Sequence, residues 1–170
     1  MEVEAAIRGR RTHKAFDPEP LAPETIEELL ELARWAPNHH LTAPWRFRVV
    51  GPRTLERLKR AAGPEAAPKL DRCPTLIVSS CVLSGDPEQD EEDLHATAVA
   101  SYIVLLAAHA RGLAGYWRTP AVLRTDAGRR AVGLGPEERF VGLLHVGRPK
   151  GEGQRVPERP PPEETTVFLD

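Results

Sequence analysis

Asparagine occurs once in this chain, at position 38, glutamine twice, at 89 and 154, and cysteine twice, at 73 and 81. Two cysteines with no further cysteine or histidine at ligand spacing exclude a disulfide scaffold and a zinc site. They read as small apolar fillers in a reducing compartment. Net charge is scant as well: 23 Lys and Arg against 25 Asp and Glu leave −2, without the basic excess that accompanies nucleic-acid binding. The first residues, Met1-Glu2-Val3-Glu4, lack the basic and apolar regions of a signal peptide. The longest apolar run, Ala96 to Ala110, is broken by Thr97, Ser101, Tyr102 and His109 and is too short to span a bilayer. A cytoplasmic protein with neither a nucleic-acid nor a membrane partner is therefore expected. Aromatic residues make up only 5%, so the placing of the three tryptophans, 35, 45 and 117, is informative.

What is present suffices for one domain over 1–170, large enough to hide about 70% of its unfolded surface in a single core. Glu2 to Gly9 has the spacing of a short helix. Pro23 suits the first position of a second helix, whose Ile26, Leu29, Leu30 and Ala33 recur at i, i+3, i+4 and i+7 and form one buried stripe. Pro37 ends that pattern. Arg46 to Val50 alternates like a strand and stops at Gly51-Pro52. Leu55 and Leu58 suggest a helix with Thr54 as its cap. Thr75 to Leu83 is an almost unbroken β-prone run, as in a strand covered on both faces. Asp90 to Arg111 predicts the longest helix. Its second half is apolar nearly all round and rich in small residues, which points to a subunit interface. Leu113 to Pro120 and Phe140 to Val146 read as strands, and Thr125 to Val132 as a helix. Residues 150–170 contain a Pro-Pro-Pro run and then the β-prone Thr165-Thr166-Val167-Phe168, which suits an arm laid on a neighbouring subunit.

Two stretches carry chemistry. Arg10-Arg11-Thr12-His13-Lys14 places cationic and polar donors at a helix exit, where guanidinium forks and a hydroxyl can grip a phosphate. Trp35-Ala36-Pro37-Asn38-His39-His40-Leu41-Thr42-Ala43-Pro44-Trp45 is a polar loop between a helix and a strand, bracketed by flat rings. Such a loop suits a planar heteroaromatic ligand with a polar edge. Trp117 beside Arg118 offers a third contact. Adjacent histidines point apart and no third ligand lies at a recognised spacing, so no metal is expected.

Four motifs in order make a resemblance. Arg10-Arg11-Thr12-His13-Lys14-Ala15-Phe16 stands where members of the FMN-dependent nitroreductase family have R-R-S-x-R-x-F after a first helix. Ala36-Pro37-Asn38-His39, continuing to Pro44-Trp45, is similar to the A-P-D/N-H-x-x-x-x-P-W of the short YdjA-like branch. Gly115-Tyr116-Trp117-Arg118-Thr119 resembles its G-x-W-R-S/T, and Gly147-Arg148-Pro149 its strand-ending G-x-P. The resemblance implies an α+β fold, a mixed sheet flanked by helices, in an arm-swapped homodimer with FMN at the interface. It implies that Arg10, Arg11 and Thr12 hold the phosphate and the pyrimidine side of the ring. Trp35, Pro37, Asn38 and His39 would line the ring from the other subunit, while Trp117, Arg118 and Thr119 would approach from the far side. Arg10, Arg11 and Arg118 are the candidate cations for the ring edge.

Two replacements depart from the pattern: Thr12 keeps the hydroxyl of serine, and Lys14 keeps charge but loses the fork of arginine. Leu41 and Ala43 stand where longer members have polar ring contacts. The implied activity is an NAD(P)H-dependent FMN oxidoreductase acting on nitroaromatics, quinones or related acceptors. No residue need be a catalytic acid or base, because the flavin carries the electrons. A flavin carrier or sequestering protein is the alternative, and would lack a nicotinamide pocket.

Overall fold

The computed structural model describes residues 1–151 and 155–169. Its elements in chain order are α1 (Val3–Gly9), α2 (Pro23–Ala33), β1 (Trp45–Val49), α3 (Pro52–Ala62), β2 (Leu76–Val82), α4 (Pro87–Ala110), β3 (Ala114–Arg118), α5 (Asp126–Val132) and β4 (Glu138–Gly147). The strands form one sheet in the order β1-β2-β4-β3, each neighbouring pair antiparallel. A parallel bridge, Thr12 to Gly115, lays the segment after α1 against β3.

Strand periodicity decides which side of the sheet each residue serves. Leu76 and Val78 of β2 and Leu143 of β4 pack on one face under α3 and α5, with Leu58, Leu123 and Val132. Ile77 of β2, with Leu144 and Val146 of β4, packs on the other under α2 and α4, with Leu29, Ala100 and Val104. The strand β2 is thus buried on both faces, as its unbroken apolar run implied.

Helix ends follow local chemistry. Asp86 accepts from the Gln89 N–H at the start of α4, and Thr125 accepts from Gly128 N–H at the start of α5. Thr54, expected to cap α3, does not: Gly51 is the cap and Pro52 the first helical residue, while the Thr54 hydroxyl accepts from Arg57. Proline lacks the N–H that an N-terminal position leaves unbonded anyway, so the Gly-Pro that stops the strand also starts the helix.

At 24 residues α4 is long and apolar enough to cross a membrane by length and composition, yet half of its apolar window is buried here as a core helix. Ser101 on its inner side meets Ser79 of β2, oxygen to oxygen at 2.7 Å. Gly115 lets β3 approach: a Cβ there would stand 2.9 Å from the Leu105 side chain. The opposite side of α4 is only partly covered, with Val99 41% exposed and Tyr102, Ile103 and Leu106 half-buried. In the tail, Val167, Phe168 and Leu169 are exposed and lie outside the strands. Of the expected arm over 150–170, residues 152–154 and 170 lie outside the described residues.

Candidate flavin phosphate and ring site

The segment after α1 is fixed by main-chain hydrogen bonds first to β3 and then to the chain that leaves β4. His13 N–H donates to Gly115 and Asp17 N–H to Arg148, while Lys150 N–H donates to Ala15. That pairing presents Arg10, Arg11, Thr12 and Lys14 in one cleft of about 330 Å³, which Arg155, Pro157 and Arg159 of the tail complete. Five cations around one hydroxyl, with no carboxylate among the described residues that line the cleft, form an anion cradle. The Nε atoms of Arg10 and Arg11 are buried and have no hydrogen-bond partner among the described residues. Buried donors left open in this way fit a ligand that brings acceptor oxygens. The donor set therefore suits the phosphate of FMN.

The residues within the cradle are not equivalent. Arg11 Nη1 donates to the carbonyls of Arg8 and Arg10 at 2.6 and 2.8 Å, closing the exit of α1. The Arg10 guanidinium lies 5.7 Å from the Tyr102 ring centroid, a cation–π contact with α4. His13, grouped with the phosphate donors by sequence, is turned inward: it is buried, its Nε2 lies 3.2 Å from the Lys150 carbonyl, and its ring packs edge-on to Phe16. Strand-like alternation after Thr12 sends neighbouring side chains to opposite sides. Behind the cradle, burial and then the charges of Arg10 and Arg11 lower the pKa of His109.

From Thr12, which pairs with Gly115, β3 runs about 13 Å to Thr119 at roughly 3.3 Å per residue. Along it Trp117 faces the α2 and α4 side, and its Nε1 donates to the Val141 carbonyl at 3.3 Å. The register between β2 and β4 slips at Ser79 and Ser80, whose partners are Gly142 and Phe140, so Val141 is the bulged residue. Thr119 is exposed. Arg118 points to the other face of the sheet, where it donates to the Lys69 carbonyl at 2.8 Å and lies 5.9 Å from the Tyr116 ring centroid. Its charge is thus committed away from the cleft that Trp117 borders.

The loop from Trp35 is built differently. Asn38 Oδ1 accepts from the Ala43 N–H at 2.8 Å and its Nδ2 donates to the Ala36 carbonyl at 3.2 Å. His39 Nδ1 meets Glu92 at 2.7 Å, and the Thr42 hydroxyl donates to Asp93 at 2.6 Å, so the loop is docked on the first turns of α4. His40, Leu41 and Ala43 all have positive φ. Trp35 is 76% exposed and Pro37 and His39 are exposed as well.

The two halves do not meet within the chain. The loop leads into β1 and the cradle rests on β3, the two edges of the sheet, about 14 Å apart across three strand spacings. Along α4 the loop contacts Glu92 and Asp93, whereas Arg10 contacts Tyr102, a further 15 Å or so along the axis. The tail arginines, Arg155 and Arg159, were not among the residues singled out by sequence. Their four-residue spacing in a proline-rich segment was the available signal.

The residues thus build an α+β fold with a cationic cradle at one edge of the sheet and an exposed tryptophan beside a docked loop at the other. The chain belongs to the Nitroreductase family, whose model matches residues 7–148. YfhC of Bacillus subtilis (strain 168), which carries the name NAD(P)H nitroreductase, is 27% identical over 171 residues, covering 91% of this chain and 88% of its own length. YdjA of Escherichia coli (strain K12), named likewise, is 26% identical over 163 residues, covering 87% and 88%. A nitroreductase of Desulfovibrio desulfuricans solved in complex with FMN superposes with a TM-score of 0.81 at 25% identity, covering 100% of this chain and 98% of that one.

Proposed function

We propose that the protein is a homodimeric, FMN-dependent NAD(P)H oxidoreductase that reduces nitroaromatics, quinones or related acceptors. The observation that carries this reading is the division of the site. A cationic cradle with unsatisfied buried donors sits on β3, and a rigid loop flanked by an exposed tryptophan sits 14 Å or so away on the opposite edge. Two copies related by a twofold axis would bring each loop to the other's cradle, with the partly open side of α4 buried between them.

In this arrangement Arg10, Lys14 and Thr12, with Arg155 and Arg159, hold the phosphate, while Arg11 fixes the helix exit from which the others project. Bound FMN supplies a hydride acceptor that hands two electrons onward. The protein's own residues orient the ring and exclude water from it: Trp117 and the Thr119 backbone on one side, Trp35, Pro37 and His39 of the neighbouring copy on the other. A cation at the ring edge favours the reduced, more negative state. Of the three candidates, Arg11 and Arg118 donate to backbone carbonyls, whereas Arg10 has no such bond among the described residues.

The test is anaerobic stopped-flow mixing of the yellow holoprotein with NADH or NADPH. Bleaching of the flavin absorbance is expected. Its failure would leave a flavin carrier as the better description. Arg10→Ala should release FMN on dialysis, and unchanged occupancy would remove Arg10 from the phosphate site.

A further inference from the structure

A second cleft, of about 770 Å³, opens beyond the ring end of β3 and does not include the phosphate cradle. Leu94, His95 and Ala98 of α4 form one wall, and Phe140 and Val141 of β4 form another. Val141 ties it to the ring site, because its bulged carbonyl accepts from Trp117. The chain also passes directly from Thr119 through Pro120 into the turn that carries Arg124 on the cleft rim.

The electrostatics of the cleft are one-sided. Its carboxylate, Glu138, is already satisfied by both prongs of Arg48, by the Ser80 hydroxyl and by the Gly135 N–H. Arg129 is spent on the carbonyls of Gly135 and Glu138. Arg124 and Arg139 are exposed, and among the described residues neither forms an ion pair. Two free forks above an apolar floor, with the His95 imidazole alongside, match a ligand that is flat at one end and carries phosphates at the other.

We propose that this cleft binds the phosphate-bearing part of the dinucleotide electron donor, with Arg124 and Arg139 as its anchors. The assignment rests on the oxidoreductase reading above and adds the residues that select the donor. In the step served, a C–H bond of the dihydronicotinamide breaks with its electron pair. The hydrogen passes with that electron pair to the bound flavin, which is reduced by two electrons, and the donor leaves as the oxidised nicotinamide cation. Arg124 and Arg139 act on binding and leave the transfer itself unchanged, so their removal alters affinity and spares the limiting rate.

Stopped-flow reduction of FMN-loaded protein tests this with three donors: NADH, NADPH and 1-benzyl-1,4-dihydronicotinamide, which has no phosphate. In the R124Q/R139Q double variant the dissociation constant for the dinucleotides should rise at least about tenfold. Limiting rate, FMN occupancy and reduction by the benzyl donor should stay at wild-type values. Loss confined to NADPH assigns the arginines to its extra phosphate, and loss with both donors assigns them to the shared pyrophosphate. Inorganic pyrophosphate should compete with NADH in the wild type and not in the variant. Unchanged affinity for both dinucleotides overturns the assignment and leaves the oxidoreductase reading standing. Failure of all three donors to bleach the wild type overturns both.

Discussion

Trp117 lies against Gly142 so closely that a Cβ on the glycine would overlap the indole nitrogen, which donates to the neighbouring Val141 carbonyl. The glycine is what allows the ring to lie flat on β4 beside the bulge. Gly142→Ala should therefore lift Trp117 out of place, at a cost of about 1–3 kcal/mol from overpacking. A lowered Tm, a red-shifted tryptophan emission and weaker FMN retention together would register the displacement. An unperturbed emission spectrum would show that the ring has room to yield.

Glu138 anchors the start of β4 to β1 across the intervening strand. Burial alone would raise its pKa, but the hydrogen bonds from Arg48 and Ser80 outweigh burial and hold the carboxyl at about 2. Glu138→Gln leaves the Arg48 guanidinium without its counter-charge and should lower stability by about 3–5 kcal/mol. Replacing both members, Arg48→Met with Glu138→Leu, should recover much of the loss. Denaturant melts of the wild type, the single variant and the double variant give the comparison.

The His145 imidazole is fully buried beside Phe16 and Tyr116, with neither ring nitrogen bonded. Burial, then the charges of Arg118 and Arg72, lowers its pKa from 6.5 to about 3. Below pH 6.5 the unfolded chain takes up a proton that the folded chain refuses. Stability is therefore intact above that pH and falls by up to about 1.4 kcal/mol per pH unit on the way down to 3. Glu138 adds a slope of the same sign between its free value of 4.5 and about 2. Urea melts between pH 7 and 4.5 should show the first effect in the wild type and a flatter profile in His145→Phe.

Val99 stands on the uncovered side of α4 at 41% exposure, one turn from the half-buried Ile103. On the dimeric reading, Val99→Glu should shift the protein to monomers in size-exclusion chromatography with light scattering, and flavin should be lost with the partner's loop. A variant that stays dimeric and yellow would move the interface elsewhere.

The tail cations should act mainly through charge. Arg155→Ser with Arg159→Ser is expected to weaken FMN binding by at least about tenfold. It should also reduce the dependence of that binding on salt. Fluorescence titration at two ionic strengths reads both quantities.

Legibility varied with the kind of signal. The helical stripe of α2 and the unbroken run of β2 were plain because a single period governs them, and the structure places Leu29 and Ile77 accordingly. Thr54 misled because a good capping residue sat two positions inside a helix that Gly51-Pro52 had already begun. The site motifs identified positions better than directions. Arg118 and His13 lie in the expected segments, but the alternation of extended chain turns the one toward Lys69 and the other toward Lys150. Arg155 and Arg159 escaped notice because they reach the cradle only through tertiary folding. The cleft bounded by Arg124 and Arg139 combines residues from three elements, with no local pattern to announce it.

The loop beside Trp35 holds three non-glycine residues at φ of 53°, 53° and 44°, with His40 and Leu41 adjacent, each carrying about 1–2 kcal/mol of steric opposition. Asn38 from within and Glu92 with Asp93 from α4 keep it in that shape. A wall held by opposing forces on both sides has little freedom to remodel itself around a guest. On the oxidoreductase reading, the loop would therefore act on an acceptor as a fixed template, selecting by outline.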